Sequence, residues 1–281
     1  MPEESIEHID WKQLNKAAIS QPLVTHMYTA DPSAHIFEGK IYIYPSHDID
    51  AGIPFDDLGS HFAMEDYHVL CMDGPGATAK DLGVVLHLKD VPWAAKQLWA
   101  PDAAYKNGKY YLYFPAKKTD GIFQIGVATA SSPAGPFTAQ PKPIEGSYSI
   151  DPAVFIDTDG SAYMYFGGLW GGQLQSYRNN SYDVNNAEPV GEAPALGPRV
   201  AKLTDDMLAM AEPVREIVLL DEEGWPLRAA DNARRFFEAS WMHLHKGVYY
   251  FSYSTGDTHF ICYATGDNPY GPFTYRGKIL E

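Results

Sequence analysis

The chain has 281 residues, 45% of them apolar, which is enough to form a large buried core. Its 36 acidic and 21 basic side chains give a net charge of −15, so a phosphate backbone would be repelled and we expect no nucleic-acid partner. The sequence has neither the run of roughly 18 apolar residues that a membrane-spanning helix needs nor a secretory signal, so we expect a cytoplasmic protein without a membrane partner.

The predicted elements are mainly short strands. The chain contains 19 Tyr, 13 Phe and 6 Trp, punctuated by 24 Gly and 21 Pro, which is typical of strands joined by turns. Helical periodicity predicts only a short amphipathic helix over residues 6–18 and a helical turn at residues 205–211. Cys71 and Cys262 both lie in apolar stretches, which favours buried, reduced thiols. We therefore predict an all-β fold in a single domain over residues 1–281.

One short sequence motif, called the repeated phrase below, occurs four times along the chain, at residues 38–44, 107–113, 159–165 and 246–253. Each copy is a turn containing glycine followed by a strand rich in tyrosine. The copies are too far apart for a helical solenoid, and their spacing suits four-stranded propeller blades. A second repeat, at residues 128–138 and 264–274, marks the outer part of two blades. The sequence thus predicts a β-propeller with about four blades.

The strand before each repeated turn should be the innermost strand of its blade. Eight or nine residues ahead of the four turn glycines lie Asp31, Trp99, Asp151 and Glu238. Rotational symmetry would place these side chains in one ring, where three carboxylates repel and at least one holds a proton near neutral pH. A single Asp-Pro pair is more simply a turn at a strand entry. Three acids in register favour acid–base chemistry instead.

The sequence at these positions resembles glycoside hydrolase family 43, whose members are five-bladed β-propeller β-xylosidases and α-L-arabinofuranosidases. The resemblance runs from about residue 24 to the end, and its motifs are YTADPSAH (28–35), YIYPSHD (42–48), WAPDA (99–103), SIDPA (149–153) and FFEASW (236–241). It implies an inverting exo-acting enzyme of xylan degradation. That enzyme would release non-reducing xylose, and also arabinofuranose, from xylo-oligosaccharides or arabinose-substituted substrates.

The resemblance also implies roles for the three acids. Asp31 would be the general base and Glu238 the general acid, while Asp151 would orient Glu238 and raise its pKa. Inversion requires the acid and base to lie roughly 6.5 to 9.5 Å apart, whereas about 5 Å would indicate a retaining nucleophile. Trp99 is predicted to form an apolar wall for the sugar, with a core aromatic as the alternative.

Several other side chains are candidates for sugar contacts or for purely structural roles. The predicted substrate-binding residues are His47, Phe55, Trp170 and Arg199, which we place near strand ends or in loops at the pocket rim. His47 has an ordinary loop histidine as its alternative, and Asp102 is interpreted as a turn cap. His243, His245 and His259 lack metal-ligand spacing, and we predict no metal ligands.

The segment 171–235 is acidic and rich in proline, and it is predicted to be an insertion between blades. The resemblance implies that the chemistry needs no cofactor. It also implies that a structural calcium ion would use a histidine of a fifth blade, and we find no fifth blade before Glu281. Either the sequence is a fragment, or a homo-oligomer or a complementing chain supplies the fifth blade. Two alternatives remain: a carbohydrate-binding or assembly propeller inactivated by truncation, and a fructoside-cleaving enzyme, which the residues following Asp151 and Glu238 disfavour.

Overall fold

The computed structural model describes residues 13, 16–18, 21–256 and 258–281. Its strands are β1 (Tyr28–Phe37), β2 (Lys40–Asp48), β3 (Asp66–Met72), β4 (Lys80–His87), β5 (Asp102–Lys106), β6 (Lys109–Lys117), β7 (Phe123–Ala130), β8 (Thr138–Ala139), β9 (Ala153–Ile156), β10 (Ala162–Phe166), β11 (Arg199–Lys202), β12 (Arg215–Glu216), β13 (Leu219–Leu220), β14 (Phe236–His245), β15 (Val248–Thr255), β16 (Ile261–Gly266) and β17 (Phe273–Leu280). Short 3₁₀ helices occupy Leu88–Asp90, Trp170–Gly172 and Leu174–Tyr177. Within these residues, no helix is long and apolar enough to cross a membrane.

Two helical predictions have different outcomes. The helix predicted over residues 6–18 lies largely outside the described residues. The segment predicted as a helical turn at residues 205–211 is a non-helical turn, in which the Met207 N–H donates to the carbonyl of Thr204 at 2.9 Å. The Thr204 hydroxyl also bonds to Asp206, and such side-chain bonds compete with helix formation.

The strands form four antiparallel blades. Blade 1 is β1–β4, blade 2 is β5–β8, blade 3 is β9–β12 and blade 4 is β14–β17, with β13 added parallel to β17. The first strand of each blade is the innermost, since β1 packs on β5, β5 on β9 and β9 on β14. This arrangement confirms the prediction of an all-β propeller with four blades.

The segment 171–235 is only partly an insertion, which corrects the prediction. It supplies β11 and β12, the two outer strands of blade 3, and β13 at the edge of blade 4. These strands are only two to four residues long, so no copy of the repeated phrase marks them.

The repeated tyrosines join neighbouring blades. In three of the four copies, a fully buried tyrosine on the second strand of one blade donates its hydroxyl hydrogen bond to a backbone carbonyl of the next blade. The donors are Tyr44, Tyr113 and Tyr165, and the acceptors are Pro133, Met207 and Pro269, at 2.7 to 2.8 Å. A buried carbonyl without a partner is costly, so the repeated residue satisfies a need that recurs at each blade junction.

Candidate active site

The three predicted acids and Trp99 line one cavity at the end of the propeller axis. Its volume is about 660 Å³, and the segments around Asp31, Asp151 and Glu238 form three of its sides. The structure therefore brings together, in one cavity, the four side chains that the repeats place at equivalent positions.

Irregular backbone geometry aims the acids into this cavity. The pairing of β1 with β2 shifts register between Ala30 and Ser33, and the pairing of β14 with β15 shifts on both sides of Glu238. Such bulges redirect a side chain that a regular strand would point elsewhere. Asp31 and Asp151 also have positive φ angles, of 45° and 54°. Non-glycine residues adopt this conformation only at a cost, and such strain commonly marks functional sites.

Asp151 fixes the backbone beside Glu238. Its Oδ2 accepts a hydrogen bond of 2.9 Å from the N–H of Ala239, the residue that follows Glu238 on β14. Ala239 itself has a φ of 60°, so its backbone is strained. The hydrogen bond joins this bulge of blade 4 to the loop that precedes the first strand of blade 3. Asp151 is thus bonded to the backbone directly after Glu238.

The surroundings raise the pKa of all three acids. Burial, followed by the Asp31 charge, raises the pKa of Glu238 to about 7. Burial first, then the charges of Glu238 and Asp31, raise the pKa of Asp151 well above its ordinary value, against the opposing hydrogen bond from the Ala239 N–H. The Asp31 side chain is exposed to the cavity, yet the enclosing walls still desolvate it and, with the Asp48 charge, raise its pKa. The cluster therefore keeps at least one proton near neutral pH.

Trp99 forms a fixed wall of the cavity. Its Nε1 donates a hydrogen bond of 2.7 Å to the carbonyl of Phe62, and its ring packs against Phe123 with centroids 4.7 Å apart. The ammonium group of the buried Lys117 lies 5.6 Å from the indole centroid. Gly59 approaches so closely that a Cβ there would lie 2.8 Å from the ring. The indole is therefore held on several sides and presents a rigid apolar surface.

Phe55 and Trp170 stand at the cavity rim, where we predicted them. Their side chains are 77% and 39% exposed, and both line the cavity. Phe55 packs against His61 with ring centroids 4.5 Å apart, while Trp170 Nε1 donates to Glu188 at 3.1 Å. Both rings are therefore exposed aromatic surfaces at the cavity entrance.

Arg199 and His47 do not line the cavity. Arg199 begins β11 and its side chain is only 1% exposed; Nη1 donates to the carbonyl of Gly197, and an ion pair of 3.3 Å joins it to Glu216. The predicted rim position for Arg199 is therefore corrected, because a strand rather than a loop carries it into the core of blade 3. His47 Nδ1 lies 2.8 Å from Asp66 on the neighbouring strand, outside the cavity.

The structure adds residues that the repeats did not identify. Asp102, interpreted as a turn cap, is buried and lines the cavity, and its oxygens bond to His35 Nε2 and to the Val154 N–H, both at 2.6 Å. It thereby joins the inner strands of blades 1, 2 and 3. His61 and His259 also line the cavity. Both lie in loops outside the repeated phrases, so only the histidine itself could have drawn attention to them.

The family model for glycosyl hydrolases family 43 matches residues 79–280. The chain belongs to this family. It is 64% identical to xylosidase/arabinosidase 43A of Humicola insolens, covering 92% of this chain and 82% of the relative. It is 59% identical to a xylosidase/arabinosidase of Bacteroides ovatus, covering 92% of this chain and 80% of that protein.

Solved structures of family 43 share the fold. CoXyl43, a β-xylosidase/α-arabinofuranosidase from a compost metagenome, is 63% identical with a TM-score of 0.90, covering 92% of this chain and 80% of that one. That structure is a calcium-free form with xylotriose. A GH43_1 enzyme from Xanthomonas citri, also solved with xylotriose, is 66% identical with a TM-score of 0.90, covering 95% of this chain and 78% of that one. The chain is therefore a family 43 glycoside hydrolase with the family's propeller fold.

Around Asp102, the described cavity residues do not provide a calcium ligand set. Calcium takes six to eight oxygen ligands, and both oxygens of Asp102 are already engaged by His35 and the backbone. Ser33 and Ser240 also line the cavity, and within the described residues neither buried hydroxyl has a hydrogen-bond partner. Two hydroxyls and one engaged carboxylate fit a water molecule or a sugar hydroxyl better than a calcium ion.

Proposed function

We propose that this family 43 enzyme removes non-reducing xylose, and also arabinofuranose, from xylo-oligosaccharides and arabinose-substituted substrates. The names of relatives 64% and 59% identical to the chain support this substrate class, as do two similar enzymes solved with xylotriose. The observation that carries the proposal is the placement of Asp31, Asp151 and Glu238 around one cavity.

The chemistry assigned to these groups is hydrolysis with inversion. Glu238, protonated near neutral pH, donates its proton to the glycosidic oxygen as the bond from that oxygen to the anomeric carbon breaks. Asp31 takes a proton from a water molecule that attacks the anomeric carbon from the opposite face. The product is a sugar of inverted anomeric configuration, and each carboxyl returns to its starting state through exchange with solvent.

Two features support removal of a terminal sugar rather than cleavage within a chain. The cavity has a confined volume of about 660 Å³, and the fixed ring of Trp99 forms one of its walls, against which a terminal sugar would pack. A carbohydrate-binding propeller without catalysis is not favoured. Three mutually repelling, partly buried acids destabilise the fold. A protein that only bound carbohydrate would have no reason to keep them, whereas acid–base chemistry requires such groups.

The test compares leaving groups. For Glu238→Gln we expect turnover of xylobiose to fall by about 10² to 10⁴, the usual contribution of a general acid. An aryl xyloside whose leaving group departs without protonation should lose far less. Asp31→Asn should lose activity on both substrates, and the control Glu223→Gln, at an exposed turn, on neither.

The stereochemistry is read from the same reactions by NMR. The wild-type enzyme should release α-xylose first from a β-xyloside. Release of β-xylose would overturn the inverting assignment, and equal losses on both substrates in Glu238→Gln would overturn its role as the acid.

A further inference from the structure

A second group of polar side chains lies on blade 1, outside the catalytic cavity. His47 of β2 and Asp66 of β3 adjoin the cross-strand pair Ser46–Tyr67, and His68 follows two residues after Asp66. Residues two apart on a strand share a face, so the three side chains project to the same side of the sheet. Tyr67 points the other way, into the core between blades 1 and 2.

These three side chains are close enough to share one ion. One ligand atom from each of His47, Asp66 and His68 lies within 4.8 Å of the other two, and within the described ranges no other group of three His, Cys, Asp or Glu residues does this. Their side chains are 25%, 17% and 14% exposed, so an ion can reach them from solvent while the site remains mostly desolvated.

Residues surrounding the three side chains orient the imidazole ring of His68. His68 Nδ1 lies 2.9 Å from Asp81 Oδ1 on β4, and His26 Nε2 lies 2.8 Å from Asp81 Oδ2. A carboxylate that accepts from Nδ1–H leaves the Nε2 lone pair of His68 free and aimed at Asp66, which is 3.9 Å away. The same carboxylate–histidine arrangement supports metal-bound imidazoles in proteins generally.

We propose that His47, Asp66 and His68 bind a divalent transition-metal ion, with zinc as the ion that best matches two imidazoles and one carboxylate. Imidazole ligands favour zinc and its neighbours, whereas calcium would need six or more oxygen ligands that this site lacks. The ion links β2 to β3, and through Asp81 it also engages β4. Its role is to stabilise blade 1, because the site is separate from the cavity that holds the acids.

Two of the three distances between ligand atoms need only small adjustments, and the third, between the His47 and His68 nitrogens, is at most 4.8 Å. Ligand atoms around a tetrahedral zinc ion at about 2.0 to 2.1 Å lie roughly 3.3 Å from one another. The His47 Nδ1 to Asp66 Oδ1 distance of 2.8 Å must therefore lengthen, and the His68 Nε2 to Asp66 Oδ1 distance of 3.9 Å must shorten, each by about half an ångström. Half-buried side chains on a strand surface can make such shifts by rotation about χ angles.

Calorimetric titration of the tag-free chain with Zn²⁺ tests the site. We expect one ion per chain and a rise in Tm that grows with zinc concentration. His47→Ala and His68→Ala should each abolish binding at this stoichiometry, and Asp81→Asn should weaken it about 10- to 100-fold. The control His245→Ala, which removes an exposed imidazole of blade 4, should bind as the wild type does.

X-ray absorption of the zinc-loaded wild-type chain keeps the proposal testable if a variant fails to fold. Nitrogen and oxygen ligands at about 2.0 to 2.1 Å support the site, while a sulfur ligand at about 2.3 Å would point to Cys71 on β3 and overturn it. Absence of stoichiometric zinc binding, or equal binding by His68→Ala and wild type, would also overturn it. Hydrolysis of an aryl xyloside by His68→Ala should remain at the wild-type rate.

Discussion

Replacing Glu238 with glutamine should make the fold more stable while it removes catalytic function. Burial and the Asp31 charge raise the pKa of Glu238 from its ordinary value of 4.5 to about 7. A carboxyl with a raised pKa binds its proton more tightly in the folded chain than in the unfolded chain. Its contribution to stability is therefore fully present below pH 4.5 and is lost as the pH rises to 7.

The size of this effect follows from the pKa shift. Each pKa unit corresponds to about 1.4 kcal/mol, so the ionisable wild-type side chain loses about 2 kcal/mol of unfolding free energy by pH 6 and about 3 kcal/mol by pH 8. Glutamine has no proton to lose and avoids this penalty. We expect Glu238→Gln to exceed the wild type in unfolding free energy by these amounts.

Urea unfolding at pH 6 and pH 8, followed by intrinsic fluorescence, measures the difference between the two proteins. Both values lie above the sequence pI of about 5.0, where the chain is least soluble. The decisive quantity is the increase of about 1 kcal/mol in the variant's advantage between the two pH values. A difference that does not change with pH would refute the titration of Glu238 and point to altered packing instead. The control Glu223→Gln should show no such increase.

Three further substitutions test the architecture around the site. Tyr113→Phe should lower the unfolding free energy in urea by about 1 to 3 kcal/mol, because a carbonyl of the next blade loses its partner, whereas Tyr105→Phe, at a ring 47% exposed, should have little effect. Gly59→Ala, whose Cβ would lie 2.8 Å from the Trp99 ring, should lower kcat/KM for xylobiose about 10-fold or more by moving the wall, and an unchanged value would contradict that packing. Asp151→Ala should lower kcat more than Asp151→Asn, whose amide oxygen can still accept the bulge N–H; equal kcat values would contradict the positioning role.

The repeated phrases predicted the blades because every blade solves the same packing problem. Each needs a turn and a buried second strand, and in blades 1 to 3 a hydroxyl must also reach the next blade, so Tyr44, Tyr113 and Tyr165 recur at one position. Blade 3 was harder to delimit, because its outer strands β11 and β12 are short and separated by loops. The pairing of β11 depends on its neighbour β10, and that of β12 on β11, rather than on any pattern of their own.

Contacts between distant segments decided the details of the site. The sequence suggested the Asp151 charge as the influence on the pKa of Glu238, and the structure adds burial and the Asp31 charge. Repulsion between Asp151 and Glu238 also raises the pKa of Asp151. The sequence placed Arg199 at the rim and Asp102 in a turn cap, whereas both side chains are buried and bonded across strands or blades. Burial and cross-strand register are properties of the assembled sheets, and no local pattern encodes them.

The sequence by itself determined that the chain repeats a blade and that Asp31, Asp151 and Glu238 occupy equivalent places in that repeat. This was possible because strand period and turn chemistry act over short stretches of chain. Only the tertiary structure decided which side chains share a cavity, how strongly the pKa of each acid is raised and which histidines lie together on blade 1. Those properties depend on how closely strands far apart in sequence approach, and on the water that their packing excludes.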